Sequence, residues 1–436
     1  MSNHLAPLEP KADKAAVRRH NLSLVLRSVH DEGETTRAAV AARSGLTRAA
    51  VSSLVEQLLG GGFLSESGKS FSGQAGRPGT VLKVARTGPA GVGVEINVDC
   101  TTVCVVDLSG VDRVRLTEHH DNRGAPPADV LARAARITAR ALESAAAQEL
   151  HPAGAHLALP GLVSGGTVRQ APNLGWTQVR AAELFEQALS DVQLDEPVGT
   201  QGRPRSRDAS HPALLPMPVS SGNEADAAAL AELWFGGRTD TGGRGLRTFL
   251  YLTGEIGIGG ALVVDGELLP GAHGFAGEIG HTVVDEDGPL CRCGSHGCLE
   301  QYAGQAALLR AAGLPEDAGP PGVTDLERRA RDGDESALAA LTAAGRTLGL
   351  VLANAVNLID PDAIVLGGAY RPLLPWLGPP IAERLARRVV SGLWSEGSGR
   401  LHASSAAGDA ARGSAALVVR DVLADPLAYA ERTARP

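Results

Sequence analysis

Apolar residues near the start of the chain recur with a helical period. Residues 21–30 (NLSLVLRSVH) predict a first helix, whose apolar face would hold Leu22, Val25, Leu26 and Val29. A second helix is predicted from Thr36 to about Ser44, with Gly45 at the turn. A third follows Thr47 and ends at glycines 60–62, and its apolar stripe is Val51, Leu54, Val55, Leu58 and Leu59.

Two short helices joined by a glycine turn are typical of a helix-turn-helix, whose second helix enters the major groove of DNA. Residues 63–67 and 80–84 then alternate like two strands around a polar tip, which predicts a winged helix. The predicted DNA contacts are the small, polar or basic side chains of the third helix and one arginine of the tip: Thr47, Arg48, Ala49, Ser52, Ser53 and Arg77. Glu56 is assigned no DNA contact. The alternative is a helical scaffold without a DNA role.

The pattern changes after Gly91. Residues 91–110 predict two adjacent strands, residues 128–150 a helix, and residues 224–234 another helix. The segment 248–269 predicts a strand around glycines 254, 257, 259 and 260. Alternating strands and helices favour an α/β domain, and the length with two glycine-rich turns favours two lobes around a cleft. The polar stretch 191–218 is predicted to be an exposed, partly disordered insertion.

Charge is divided unevenly along the 436 residues. Residues 1–90 hold twelve Lys or Arg and seven Asp or Glu, a net charge of +5, so the net charge of −8 leaves −13 for the remainder. The basic part supports the nucleic-acid hypothesis and predicts a salt-sensitive DNA affinity. The sequence starts without a secretory signal and has no apolar run of about 18 residues, so we predict a cytoplasmic protein without a membrane span.

The five cysteines fall into two groups. Cys100 and Cys104 lie in an apolar stretch and are predicted to be buried small side chains. Cys291, Cys293 and Cys298 are close together, a spacing that suits metal ligands better than disulfides.

Residues 271–303 (GAHGFAGEIGHTVVDEDGPLCRCGSHGCLEQYA) resemble the signature of the ROK family of repressors, open reading frames and sugar kinases. The segments 171–176, 222–232, 359–368 and 408–417 continue the resemblance, which covers roughly residues 91–425. It implies an actin-like, two-lobed kinase fold with a sugar site in the cleft. The helix-turn-helix ahead of this part resembles the repressor branch. We therefore expect a mobile start (1–18), a winged helix-turn-helix (19–88) and a ROK sugar-binding domain (89–436).

Three thiolates and an imidazole form a closed tetrahedral ligand set that suits structural zinc. The matching residues are spaced H-x9-C-x-C-x4-C: His281, Cys291, Cys293 and Cys298. Gly294 and Gly297 would permit the tight loop between the ligands. The alternative is a set of reduced, exposed thiols.

By the same resemblance, the sugar contacts are Asn223, Glu224, Glu278, His281 and Glu300, with loop contributions near Gly161 and Asn173. One ring nitrogen of the histidine could then face zinc and the other a sugar hydroxyl. The alternative is that the two later glutamates are only solvated surface groups.

Two features of the family's kinases are altered here. The phosphate-binding turn, of the type Asp-x-Gly-Gly-Thr-Lys, corresponds to residues Glu95 to Asp99 (EINVD), which lack the glycine pair. The catalytic aspartate of Asn-Asp-Ala corresponds to Glu224, one methylene longer. We therefore predict a regulator that binds a sugar or sugar phosphate without phosphorylating it.

The leading hypothesis is a sugar-responsive transcriptional regulator, a repressor by its resemblance, acting as a homodimer or higher homo-oligomer on operator DNA. Sugar binding would bias lobe closure, and the linker at residues 86–90 would transmit the change. The alternatives are an active ROK sugar kinase with a DNA-binding domain and a regulator that needs no effector.

Overall fold

The computed structural model describes residues 13–70, 79–194, 217–237, 245–395, 397–405 and 409–433. Its N-terminal unit, residues 13–70 and 79–87, combines helices with a three-stranded antiparallel sheet in the order β1-β3-β2. Its elements are α1 (Lys14–Glu32), β1 (Thr35–Thr36), α2 (Arg37–Ser44), α3 (Arg48–Gly60), β2 (Leu64–Ser70) and β3 (Gly79–Val84).

Local hydrogen bonds explain where α2 and α3 begin. The hydroxyl of Thr36 accepts from the Ala39 amide at 3.3 Å, and that of Thr47 from the Ala50 amide at 3.2 Å. Gly45 has a positive φ of 70° at the turn. The predicted bounds of both helices are thus confirmed. The first helix is longer than predicted, because it begins at Lys14 behind a capping Asp13 side chain.

The first lobe is built on a five-stranded sheet in the order β11-β7-β4-β5-β6, in which β4, β7 and β11 are parallel and β5 and β6 antiparallel. A small antiparallel sheet, β10-β9-β8, lies at one end. The elements in chain order are β4 (Gly88–Ile96), β5 (Cys100–Asp107), β6 (Asp112–His119), α4 (Pro127–Ala146), β7 (Leu150–Leu159), β8 (Leu162–Ser164), β9 (Thr167–Ala171), β10 (Trp176–Val179), α5 (Ala181–Leu194) and β11 (Val219–Asn223).

The second lobe contains the sheet β14-β13-β12-β15-β16, with β12, β15 and β16 parallel. The elements after β11 in chain order are α6 (Glu224–Phe235), β12 (Phe249–Gly254), β13 (Ile258–Val264), β14 (Glu267–Leu268), a 3-10 turn (Ile279–His281), α7 (Glu300–Ala303), α8 (Gln305–Ala311), α9 (Gly319–Arg331), α10 (Glu335–Ile359), β15 (Ala363–Gly368), α11 (Tyr370–Arg388), β16 (Leu401–Ala403), α12 (Ala410–Ala424) and α13 (Pro426–Thr433). Helices α12 and α13 follow this lobe in the chain, and α12 packs on the sheet of the first lobe. This α/β architecture agrees with the predicted fold class.

Some predicted boundaries were wrong. The helix expected over 128–150 ends at Ala146, because the chain reverses at Glu149, which has a positive φ of 58°, and Leu150 already begins β7. The strand expected over 248–269 is the hairpin β12–β13, extended by β14, because glycines allow the turn at residues 255–257.

Two predicted loop segments also differ. The insertion expected over 191–218 is narrower, since residues 191–194 complete α5 and residue 219 begins β11; residues 195–216 lie outside the described chain. The linker expected over 86–90 is shorter, because Gly88 already pairs with Leu150 in the sheet. The described wing stops at residues 70 and 79, so Arg77 lies outside the described chain.

Helices α6 and α12 lie between the two sheets and contact each other. Along β4, Val92 and Val94 are buried in the core under α4, whereas Gly91 and Gly93 face α12 on the opposite side of the sheet. A Cβ atom at Gly93 would lie 1.9 Å from the carbonyl oxygen of Ala411. The α12 backbone therefore rests directly on β4.

Helix α10 has the length and apolar composition of a membrane-spanning segment. In this fold, however, 56% of its most apolar 18-residue stretch is buried, and the helix contributes to the core of the second lobe.

We predict that Gly93→Ala destabilises the protein by about 1–3 kcal/mol, because the added methyl group overlaps the Ala411 carbonyl and must displace α12. Gly60→Ala is the matched control, since no atom lies within 4 Å of a Cβ at that helical position. Thermal unfolding of both variants measures the difference. Equal melting temperatures for Gly93→Ala and the parent chain would contradict direct backbone contact.

Candidate functional site

A cleft between the lobes brings together the residues predicted to bind sugar. We call it the histidine cleft; its lining includes Gly161, Asn173, Asn223, Glu224, Gly257, Glu278, His281, Arg292 and Glu300. The first four come from the first lobe and the start of α6, and the others from the second lobe. A ligand held here would contact both lobes at once.

Asn223 fixes the junction between β11 and α6. Its Oδ1 atom accepts from the amides of Ala225 at 2.7 Å and Asp226 at 3.3 Å, so it caps α6. Its Nδ2 donates to the Gly161 carbonyl at 2.9 Å, which ties the cap to the loop after β7. The side chain therefore shapes the cleft and keeps one N–H for a ligand.

Glu224 is the first residue of α6 and lies where two clefts meet. Its Oε2 atom is buried and has no hydrogen-bond partner among the described residues. Burial raises the pKa of this carboxyl well above its usual value, with further contributions from Glu95, Glu255 and Glu278. A buried carboxyl with an unmatched oxygen is suited to bind a hydroxyl group of a ligand.

The His281 imidazole faces two environments. Its Nδ1 lies 3.7 Å from the Cys291 thiol, and its Nε2 lies 3.9 Å from Oε2 of Glu278. The short 3-10 turn that carries the histidine directly follows Glu278, which keeps both groups at the cleft. Burial is the main cause that raises the pKa of Glu278, and the neighbouring imidazole opposes the rise.

Glu300 connects the cleft to the cysteine loop. Its Oε2 accepts from the Ile258 amide at 3.3 Å, while its Oε1 lies 3.9 Å from the Cys291 sulfur. Gly257 makes this approach possible, because a Cβ there would lie 2.3 Å from the carboxylate. Glu300 is thus held by contacts on both sides.

The four predicted metal ligands converge. The potential ligand atoms of His281, Cys291, Cys293 and Cys298 all lie within 4.8 Å of one another, and this group could hold a metal ion. Cys291 and Cys298 are buried and Cys293 is exposed. Gly294 and Gly297 have positive φ angles of 94° and 63°, as the predicted tight loop requires.

Three sulfur atoms and one nitrogen atom match the chemistry of a closed, structural transition-metal site. The Cys293 and Cys298 sulfurs lie 3.7 Å apart, which is longer than a disulfide bond. The residues present therefore fit a metal ion.

Arg292 is a cleft residue that the sequence interpretation missed. It lies between two potential metal ligands, and its Nη1 donates to Oδ1 of Asn173 at 2.8 Å across the opening between the lobes. The family signature directs attention to the cysteines and gives no signal for the residue between them.

A second cavity, which we call the carboxylate cleft, lies beside the first around the end of β4 and the start of α12. Its lining includes Glu95, Glu224, Glu255, Arg371 and Asp409. The sequence interpretation compared Glu95–Asp99 with a phosphate-binding turn. In the structure this stretch is a tight β4–β5 turn in which Ile96 and Val98 are buried.

Several acidic side chains lie close together in the carboxylate cleft, and their ionised forms are disfavoured, so their pKa values are raised. Burial, and then Asp409 and Glu255, raise the pKa of Glu95 to about 8. Burial, and then Asp99, raise that of Glu255 to about 7. The Glu95 carboxyl also accepts a hydrogen bond from the Ala411 backbone at the start of α12, which partly offsets the rise.

The residues predicted to contact DNA lie at the start and on the open face of α3. Arg48, Ala49, Ser52 and Ser53 are exposed, whereas Thr47 is occupied by capping the helix. The described residues leave this face uncovered, as a groove-binding helix requires.

Glu56 has a structural partner. Arg37 at the start of α2 pairs with it at 2.7 Å and also pairs with Glu66 of β2. This bridge links α2, α3 and β2.

Comparisons with known proteins give a consistent relationship. The ROK family model matches residues 211–421. A xylose repressor from Caldicellulosiruptor bescii is 26% identical over 367 residues, which cover 80% of this chain and 82% of the repressor. A glucokinase from Streptomyces coelicolor is 32% identical over 244 residues, covering 52% of this chain and 67% of the glucokinase.

The fold is shared with a ROK family transcriptional regulator described as a homologue of the Escherichia coli MLC protein. That crystal structure superimposes with a TM-score of 0.72 at 24% identity and covers 96% of this chain and 99% of its own. The likeness therefore includes both lobes and the N-terminal unit.

We predict that Glu95→Gln increases stability most at alkaline pH. The carboxyl has a folded-state pKa of about 8 against a usual 4.5, so its contribution favours folding below pH 4.5 and is lost as the pH rises through 8. Removing the charge should flatten the fall in melting temperature between pH 5 and pH 9. Each unit by which the folded-state pKa of the carboxyl exceeds its unfolded-state pKa corresponds to about 1.4 kcal/mol of stability lost at alkaline pH. Exposed Glu186→Gln on α5 is the control. Parallel pH profiles for Glu95→Gln and the parent chain would refute the assignment.

Proposed function

The chain belongs to the ROK family, and we propose that it is a sugar-responsive transcriptional repressor that acts in the cytoplasm as a homodimer. The observation that carries this proposal is the joining of an exposed helix-turn-helix face, on α3, to a two-lobed body whose cleft gathers Asn223, Glu278, His281 and Glu300. The likeness to a xylose repressor, over 80% of this chain and 82% of the repressor, supports it.

The N-terminal unit supplies the DNA-binding part of the proposal. Arg48 and the small residues Ala49, Ser52 and Ser53 would meet base edges and phosphates in the major groove. Arg77 of the wing tip would enter the adjacent minor groove. In a homodimer the two units would contact the half-sites of a two-fold operator.

The charges of the histidine cleft favour a neutral sugar over a sugar phosphate. Glu224, Glu278 and Glu300 line it, and Arg292, whose Nη1 is occupied by Asn173, is the cation among the described lining residues. Carboxylates accept hydrogen bonds from sugar hydroxyls, whereas they repel a phosphate dianion. We therefore propose an uncharged pentose or hexose as the effector.

Sugar binding without phosphoryl transfer is supported by the carboxylate cleft. The N-terminus of a helix usually attracts phosphate, but at α12 the Asp409 carboxylate already accepts from the Arg412 amide at 2.7 Å, and Glu95 accepts from Ala411. The chain's own carboxyl groups thus occupy hydrogen-bond donors at the start of α12 that a nucleotide phosphate would need. Glu224 then acts as a sugar-binding group in place of a catalytic base.

A sugar kinase activity is the competing function, favoured by the 32% identity to a glucokinase. The two functions differ in a coupled assay for ADP formation and in thermal shifts with D-xylose, D-glucose and glucose 6-phosphate. We expect a neutral sugar to raise the melting temperature, glucose 6-phosphate to leave it unchanged, and ADP formation to stay at background with every sugar. Sugar-dependent ADP formation would identify a kinase.

The same preparation tests repression through DNA fragments selected from a random duplex library. We expect the stabilising sugar to change the affinity for the selected DNA, and Arg48→Ala to weaken it by about 1–3 kcal/mol. Arg27→Ala, an exposed arginine on α1, controls for the loss of one positive charge. Equal losses in the two variants would remove α3 from the DNA interface.

We further propose that the cysteine loop holds a structural Zn²⁺ ion through His281, Cys291, Cys293 and Cys298. A closed set of four ligands leaves no open position for catalytic water, so the ion would stabilise the loop that positions Glu300 and the histidine. The second ring nitrogen of His281 stays directed to Glu278.

Replacing Cys293 with serine should release the metal, because a serine hydroxyl is a poor substitute for a thiolate ligand. We expect about one zinc per chain in the parent protein and a large loss in Cys293→Ser, accompanied by a smaller sugar-induced thermal shift. Cys100→Ser is the matched control, as Cys100 lies outside the ligand group. Full zinc occupancy in Cys293→Ser would contradict the assigned ligands.

A further inference from the structure

The N-terminal unit meets the rest of the molecule along a buried surface as well as through the chain connection. Ser23 of α1, with 8% exposure, donates from its hydroxyl to the carbonyl of Leu423 at 2.9 Å. That carbonyl belongs to the last turn of α12, where helix carbonyls lack partners within the helix. Ser23 of the N-terminal unit therefore supplies a hydrogen-bond donor to a carbonyl group at the C-terminal end of α12.

An ion cluster lies beside this hydrogen bond. The guanidinium of Arg19 pairs with Asp425 at 2.7 Å and with Glu431 at 3.1 Å, so one α1 side chain holds both ends of α13. The side chains are roughly one-third to three-fifths exposed, so each pair contributes little energy by itself, and their role is to add polar contacts between α1 and α13.

Apolar contacts make the surface continuous. The rings of Phe63 and Tyr429 meet edge to face at 5.8 Å between centroids. One core contains Val25 and Leu26 of α1, Val106 of β5 and Val418 of α12. The described residues of the N-terminal unit and of the first lobe thus form one continuous hydrophobic core at this surface.

The covalent connection is equally constrained. Strand β3 ends at Val84 and β4 begins at Gly88, so residues 85–87 alone separate the two sheets. A Cβ at Gly88 would lie 2.8 Å from the carbonyl oxygen of Gly62, and the Arg113 side chain donates to the Arg86 carbonyl. A hinge at this position would have to break contacts on both sides.

We propose that the α1–α12–α13 surface fixes the N-terminal unit rigidly to the first lobe, so that the two move as one body. We call it the seam; its polar members are Arg19, Ser23, Asp425 and Glu431. This inference rests on the proposed function for its consequence: lobe closure around a sugar swings the DNA-binding face relative to the second lobe. The coupling element is then the seam, and residues 85–87 serve only as a connection.

The test compares amide hydrogen exchange of the full chain and the double variant Arg19→Glu/Ser23→Ala. In the parent protein we expect slow exchange in the buried parts of both α1 and α12. The double variant should exchange about tenfold or more faster in α1–α3, with α10 in the second lobe unchanged. Ser23→Ala alone keeps every charge and is the milder variant. Arg27→Glu is the matched charge reversal, because this exposed α1 residue has no ion pair within the described chain.

Unchanged exchange in the double variant, or fast exchange of α1 in the parent protein, would overturn the proposal. The second readout is the ratio of DNA affinities with and without D-xylose. We expect the double variant to bind both DNA and D-xylose but to have the same DNA affinity with and without the sugar. Arg27→Glu should keep the parent protein's ratio. If the DNA affinity of the parent protein is the same with and without D-xylose, the proposed response to this sugar is contradicted. The hydrogen-exchange data would still test whether the seam fixes the N-terminal unit to the first lobe.

Discussion

The direct contact of α12 with β4 is the constraint on which the arrangement of the molecule depends. Gly91 and Gly93 leave no side chain between strand and helix, and at Gly413 a Cβ would lie 1.8 Å from the Ala227 carbonyl of α6. The helix is thereby fixed to the first lobe on one side and to α6 on the other. Because such closely packed interfaces resist small displacements, a movement of either lobe would shift α12 or α6 as a whole helix.

The two ends of α12 perform different tasks because helix ends differ chemically. At its N-terminus, amide donors are satisfied by the Asp409 and Glu95 carboxyl groups. At its C-terminus, the Leu423 carbonyl accepts from Ser23 of the N-terminal unit. One helix thus extends from the carboxylate cleft to the unit that carries α3.

Local sequence patterns predicted what local interactions determine. The caps Thr36 and Thr47, the apolar stripes and the cysteine spacing depend on residues a few positions apart, and the structure confirms these helices and the convergence of His281 with the cysteines. The seam could not be predicted, because Arg19 and Asp425 are 406 positions apart. The carboxylate cleft could not either, since Glu95, Glu255 and Asp409 become neighbours only when three separate chain segments meet.

The direction of the proposed conformational change follows from how the histidine cleft is divided between the lobes. Asn223 belongs to the first lobe and Glu278 and His281 to the second, so a sugar that contacts both sets binds the closed form better than the open form. The Arg292–Asn173 bond already links the lobes at the rim of the cleft and would favour the same state. Under the proposed function, a DNA-binding unit fixed to the first lobe would move with that lobe when the cleft closes. In the proposed homodimer the two units would meet operator half-sites of fixed separation, so a small rotation within each subunit would be sufficient to alter the DNA affinity.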